Sequence, residues 1–156
     1  MKRILYKVLL ILGIIVVVGV VSFVLFFTWK MPFNNYKLGI FQKNFEQSIV
    51  KFHPIESKLL AEVSEVGNWT DGTYCEFLVG QFLSSSLSKE ELEKIYPDDF
   101  LKAGVYFIDG NEAFGSPWFE LKEKYLKNYK AKANENLYLV WKSEYDNSPD
   151  GDIRCD

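Results

Sequence analysis

At 156 residues the chain has room for one domain. Charged residues make up 25% of it and apolar ones 48%, ordinary for a folded protein, and aromatic residues reach 17%. The net charge of −3 conceals an asymmetry: residues 1–30 hold four bases (Lys2, Arg3, Lys7, Lys30) and no acid, leaving 14 bases against 21 acids, a net −7, in the remainder. That balance excludes a basic nucleic-acid footprint and disfavours the acidic part lying flat on anionic lipid.

From Val8 to Phe27 the chain reads VLLILGIIVVVGVVSFVLFF, twenty residues without a charge and with nothing more polar than Ser22. As a helix this stretch spans about 30 Å, the hydrocarbon thickness of a bilayer. Tyr6 stands at one end and Phe26, Phe27, Trp29 and Phe33 at the other, where rings settle at a membrane border; Pro32 then closes the helix. A cleaved signal peptide would carry a shorter apolar run, and cleavage at Val20–Ser22 would leave FVLFF as the new terminus. A buried core helix would need a polar face, which this stretch lacks. Gly13 and Gly19 are six apart and form no GxxxG contact. Lys2, Arg3 and Lys7 favour a cytoplasmic N-terminus, a modest bias because Lys30, Lys37 and Lys43 follow on the far side. The sequence therefore predicts a single-pass signal anchor. Residues 1–7 form a cytoplasmic basic terminus, 8–29 a transmembrane helix, 30–40 a juxtamembrane stalk and 41–156 an extracytoplasmic domain, periplasmic or extracellular. The lipid bilayer is the partner of residues 8–29.

Residues 31–40, MPFNNYKLGI, read as the stalk: a proline, two asparagines and a glycine with no clear period. Phe41, Phe45, Ile49 and Phe52 then fall on one helical stripe, which points to packing rather than to a partner-binding face. Pro54 stops that helix by pushing His53 out of the helical region. SKLLAEVSEV, residues 57–66, suits a short helix or a strand equally. After the turn GNWTDG, the run TYCEFLVGQF alternates, with Cys75, Phe77 and Val79 on one face and Tyr74 and Glu76 on the other, and predicts a strand. If the preceding segment is extended, the two form a hairpin. LSKEELEKIY carries a capping box, Ser88 with Glu91, flanked by Leu87 and Leu92 as a hydrophobic staple; the helix ends at Pro97. AGVYFI predicts a short strand closed by the turn at 109–111. Ser116 caps the next helix with Pro117 at its first position. Trp118, Leu121, Tyr125 and Tyr129 share one face of it, and Glu120 and Lys124 form an outer pair. NLYLVW predicts a last strand. The sum is an α+β domain with a mainly antiparallel sheet of three or four strands and two or three helices.

Two cysteines in a domain placed outside the cytoplasm predict a disulfide, Cys75 with Cys155. Such a bond closes 80 positions, for which chain entropy gives an optimistic ~4.5 kcal/mol. It would secure a tail, EYDNSPDGDIRCD, in which only Ile153 offers much apolar surface. The rival reading makes Cys75 a nucleophile with His53, the one histidine, as base, but no glycine-rich elbow, oxyanion signature or CxxC accompanies it.

Residues 146–153, DNSPDGDI, resemble the first eight positions of an EF-hand calcium loop, with Asp146, Ser148 and Asp150 at alternate positions, Gly151 at the sharp turn and Asp152 following. The bidentate glutamate would fall one residue past Asp156, so an acidic, solvated turn is the better reading. Asn68–Thr70 fits the N-glycosylation pattern, which matters only in a eukaryotic secretory lumen. The carboxylate pairs Asp71 with Glu76, Asp98 with Asp99, and Asp109 with Glu112 are no closer than chance gives among 21 acids. With no GxGxxG, P-loop or GxSxG in the sequence, no cofactor and no catalytic residue is assigned. The layout, a basic terminus, one span and a small cysteine-containing domain, is that of many bacterial cell-envelope proteins, a likeness of layout alone.

The expectation is a membrane-anchored binding or assembly module with a protein partner in or at the membrane, contacted through Trp69 and Tyr74. The alternatives are an envelope hydrolase using carboxylates and His53, and a calcium-modulated domain using Asp146, Ser148, Asp150 and Asp152.

Overall fold

A computed structural model describes residues 2–69, 74–96, 103–108, 116–127, 129–132, 134–146 and 152–155. Helix α1 runs over Lys2–Thr28, and its described apolar side chains all face outward. It is long and apolar enough to cross a bilayer.

Residues 31–40 depart from the irregular stalk expected of them. They form the first half of helix α2, Met31–Ser48, and Asn34, Phe41 and Phe45 are buried along it. Pro32 opens this helix rather than closing the one before, because in a first turn its missing N–H has no helical acceptor to lose. A turn at Trp29–Lys30 separates α1 from α2. Beyond Ser48 the chain tightens into a 3₁₀ turn, Val50–Phe52, and His53 leaves it extended, as Pro54 requires. Phe41, Phe45 and Ile49 reach the core; Phe52, at the end of the same stripe, stays exposed because the helix has ended.

Four strands follow, β1 (Lys58–Gly67), β2 (Cys75–Ser85), β3 (Gly104–Ile108) and β4 (Asn136–Asp146), in one sheet of order β1-β2-β4-β3. Every neighbouring pair is antiparallel. The ambiguous 57–66 stretch is therefore strand, and it makes the hairpin with β2, with one irregularity between Leu59 and Ala61. Tertiary pairing decides it: β2 is buried at every position and needs a neighbour on both edges, supplied by β1 and β4.

Burial of β2 on both faces makes three layers. On one face Phe77, Val79 and Leu83 of β2 join Tyr138 and Val140 of β4 beneath α2 and Leu92 of helix α3, Lys89–Ile95. On the other face Leu78 and Phe82 join Leu137 and Leu139 beneath Leu121 and Leu126 of helix α4, Pro117–Leu126. Ser88 caps α3 in a closed capping box: its Oγ accepts from the Glu91 N–H, and Glu91 Oε2 accepts from the Ser88 N–H. Ser116 caps α4 with Pro117 in the first turn. Trp118, Leu121, Tyr125 and Tyr129 line the α4 core, as their spacing predicts. Lys124, still exposed, reaches across to Glu65 of β1, and the same carboxylate accepts the Tyr125 hydroxyl. Burial, with that carboxylate, pushes the Tyr125 hydroxyl up to about 12. The turn at 109–111 and Pro97 lie outside the described residues.

Gly80 sits at the centre of β2, where a Cβ would lie 2.7 Å from the Val140 carbonyl oxygen and 3.2 Å from the Trp141 Cα. Both are backbone atoms of the neighbouring strand and have no rotamer by which to withdraw. Gly80→Ala should therefore lower the unfolding free energy by about 1–3 kcal/mol, read as a lower urea midpoint. An unchanged midpoint would mean that β2 and β4 separate at this point at little cost.

Candidate functional site

The α2 face of the sheet holds two polar clusters, one at the start of β2 and one around Gln81 near its middle. The first joins the chain's tail to the start of α2. Cys75, the first residue of β2, is disulfide-bonded to Cys155 with Cα atoms 4.9 Å apart. Beside the sulfurs lies Asp152, 2% exposed. Its Oδ1 accepts from the Arg154 backbone N–H at 3.2 Å and from Arg154 Nε at 2.8 Å. Its Oδ2 accepts from Arg154 Nη2 at 2.6 Å and from Asn34 Nδ2 at 2.8 Å. Asn34 Nδ2 also lies 3.5 Å from Cys75 Sγ, and Arg154 Nη1 donates to Asn35 Oδ1 at 2.8 Å. Burial pushes the Asp152 carboxyl up, but the Arg154 and Asn34 hydrogen bonds and the guanidinium charge outweigh it and hold the group below its ordinary value. The tail is thus fastened covalently to β2 and by charge-assisted hydrogen bonds to the first turn of α2.

The second cluster is a chain of hydrogen bonds through the core. Gln81 Nε2 donates to Glu62 Oε1 at 3.2 Å, which turns Gln81 Oε1 toward His53 Nε2 at 2.8 Å. This sets the neutral tautomer: Nε2 carries the hydrogen and donates, and Nδ1 accepts from the Tyr96 hydroxyl at 2.6 Å. Tyr96 is hydrogen-bonded in turn to Tyr138, and Tyr138 to Ser57 at 2.7 Å. Desolvation pushes both tyrosine hydroxyls up, so they stay protonated at any physiological pH. Desolvation also lowers the His53 pKa, against a smaller opposing effect of the Gln81 hydrogen bond.

Below pH 6.5 the unfolded chain takes up a proton at His53 that the folded chain refuses, so stability falls as pH drops from 6.5 through the lowered folded pKa and is flat below it. Protonation would also make Nδ1 a donor and force each hydroxyl of the chain to reverse. The urea midpoint of the full chain should decline across this window. In His53→Gln the decline should vanish; a slope that survives the substitution would assign it to another group.

Glu76, in the proposed pair with Asp71, accepts the Trp69 backbone N–H. It lies five residues along β2 from Gln81, about 17 Å away and on the opposite face. Asp71, Asp98, Asp99, Asp109 and Glu112 lie outside the described residues. Both ring nitrogens of His53 are engaged, and the space beside Gln81 and Glu62 is about 10 Å³, the minimum for one water. Larger open grooves occur elsewhere. One of about 390 Å³ runs between α2 and the end of β4, past Lys37, Ile40, Glu144 and Tyr145. One of about 420 Å³ follows β3 beside Lys89, Glu93 and Tyr96.

Trp69 folds back over Gly67, where an added Cβ would meet its ring at 3.3 Å, and packs with the α4 core. Its buried Nε1–H has no acceptor among the described residues. Tyr74, next to the disulfide, is the exposed ring of the pair, at 45%. Of the calcium-like loop, Ser148 and Asp150 lie outside the described residues and Asp146 ends β4. Asp152 has both oxygens occupied by Arg154 and Asn34, which leaves it no lone pair aimed at a cation. Cys75, Cys155 and Asp152 offer donor atoms within 4.8 Å of one another, but with the sulfurs bonded to each other they do not form a metal site.

Asn34, Asn35 and Arg154, and the Tyr96–Tyr138–Ser57 chain, escape the sequence reading. The local signal is Gln81, a polar residue set between the apolar pairs Leu78–Val79 and Phe82–Leu83. Comparison with protein-family models, with curated proteins and with solved structures finds no match to this chain.

Proposed function

We propose that this chain is a single-pass membrane protein, N-terminus inside, whose α+β domain stands in the periplasm or outside the cell and binds or assembles a protein partner at the membrane surface. The observation that carries this reading is the pairing of an outward-facing apolar helix with a disulfide-closed domain. The side chains of α1 are unburied along the stretch that would cross the bilayer, so water would have to cover them if lipid did not. The cystine at Cys75–Cys155 belongs to an oxidising compartment. Residues 8–29 are then the anchor, and the exposed Tyr74, together with Trp69, is the contact surface.

Protease added to intact spheroplasts should remove the domain and leave a fragment of α1. A gel of the membrane fraction should show a mobility shift on reduction. A protected, reduced protein would overturn the topology. For the partner, Tyr74→Ala should lower the yield of co-purified protein from native membranes without changing the disulfide; an unchanged yield would remove this surface from the reading.

A further inference from the structure

Helix α2 has two apolar faces, and the sheet covers one of them. Phe41, Phe45 and Ile49 pack on the sheet, with Asn34 beside the tail. Phe33, Tyr36 and Ile40, spaced three and four, form a second stripe roughly 150° around the helix from the first, and Trp29, in the turn before α2, precedes it. These four remain in the open: Tyr36 is 68% exposed and Ile40 46%. Cations flank the stripe. Lys30 Nζ stands 5.1 Å from the centroid of the Trp29 ring and Lys37 Nζ 4.7 Å from that of Phe33, and Lys43 is exposed a turn further on. The first acid in the sequence is Glu46: residues 1–45 carry six of the 18 bases and none of the 21 acids.

We infer that α2 is an interfacial helix whose outer stripe is immersed in the headgroup layer of the bilayer, with Lys30, Lys37 and Lys43 on anionic phospholipid headgroups. This rests on the membrane-anchor reading and adds a second, lateral contact with the membrane. Three observations select lipid as the occupant. The stripe begins where the apolar span ends, so the covalent chain holds it at the membrane border. Its composition, aromatic rings with lysines that extend their charge past them, is that of helices lying in an interface. Its charge is complementary to anionic headgroups. Length then fixes orientation. From Phe33 to Ile40 is about 10 Å along the axis, while one interfacial layer is roughly 5–8 Å deep. An upright α2 would lift Tyr36 and Ile40 into water, so the inference sets α2 nearer the membrane plane than its normal and requires the chain to bend at the Trp29–Lys30 turn that separates it from α1. The sheet then rides on the far side of α2. Residues 46–156, with 12 bases against 21 acids, are held away from the anionic surface.

The test uses the full chain in nanodiscs containing phosphatidylglycerol, with an environment-sensitive fluorophore placed by Tyr36→Cys, Ile14→Cys or Ile55→Cys in separate variants. The native cysteines, being bonded, do not take the label. A headgroup-layer nitroxide lipid should quench the label at 36 several-fold more than the label at 55, whose side chain is fully exposed on a loop, and a deep acyl nitroxide should quench the label at 14. A label at 36 as open to aqueous iodide as that at 55, with 14 still deep, would overturn the inference and leave the anchor intact. A label at 36 shielded from both quenchers would assign the stripe to a protein neighbour and overturn it too. Iodide quenching at 14 would sink the anchor and the inference together. Lys37→Glu with Lys43→Glu should reduce headgroup quenching at 36; unchanged quenching would overturn the anionic preference.

Discussion

Replacing Cys75 and Cys155 together by alanine lowers the unfolding free energy of the domain by about 2–4 kcal/mol and releases the tail from α2. The closed loop spans 80 positions, for which chain entropy sets an upper value of about 4.5 kcal/mol. The local consequence is larger than the global one. Residues 152–155 bury Asp152 and Cys155 but leave Ile153 exposed, so little apolar burial holds them once the sulfur bond is gone. What remains is Asp152 with Arg154, Asn34 and Asn35. Such a set contributes little once water reaches it. Hydrogen exchange should therefore rise over 152–155 and over the first turn of α2, with β4 protection unchanged. Acid sharpens the same result. The Asp152 carboxyl lies below its ordinary 3.8 in the fold, so its contribution is present above that value and is lost as pH falls through the lowered pKa. In the double-alanine variant that loss alone frees the tail; in the native chain the disulfide retains it. Equal midpoints and equal exchange in the two proteins would show that the tail is held by something other than the cystine.

The features legible in the sequence are those decided within a few residues. The Ser88–Glu91 box, the Ser116–Pro117 start and the alternating Cys75–Phe82 run each carry their cause in their own segment, and each appears in the fold. The strand at 58–67 was undecided because its cause lies in β2, a strand buried on both faces that needs a partner on each edge. The stalk reading of 31–40 failed for a related reason. Asn34 and Asn35 look like loop residues, yet their amides meet Asp152 and Arg154 more than a hundred residues away. No local pattern encodes a partner at that separation. The cystine is legible because there are only two cysteines to pair; Asp152, three residues from one of them, reads as part of an acidic, solvated turn with a calcium-loop alternative, because that spacing carries no sign of its partners Arg154 and Asn34. His53 reads in the sequence as a base for Cys75 or a partner of carboxylates, whereas Gln81 and the Tyr96 hydroxyl fill both its nitrogens.

Phe45→Ala, the second large effect expected, costs about 3–5 kcal/mol and loosens the middle of α2 from the sheet. Phe45 is 2% exposed and lies with Phe41 and Ile49 between α2 and the Val79 side of β2. Removing its ring leaves a cavity that neighbours can fill only by moving α2. At that position α2 is fastened on the N-terminal side by Asn34 to the tail and on the C-terminal side by the His53 chain to Gln81 and Tyr96. The helix is therefore pinned at both ends with its middle contact missing, and collapse into the gap is hindered. That places the cost toward the upper part of the range and makes Phe45→Leu, which keeps most of the volume, much milder. In a membrane protein the two ends of α2 differ in another respect: α1 holds one of them to the bilayer in the reading proposed above. The variant should thus stay in the membrane fraction while exchange protection falls over 41–49 and over the facing Val79–Leu83 stretch. A midpoint shift without that paired loss would mean that Phe45 serves the interior of α2 alone, and that the domain is carried on its anchor by the tail clamp rather than by the helix face.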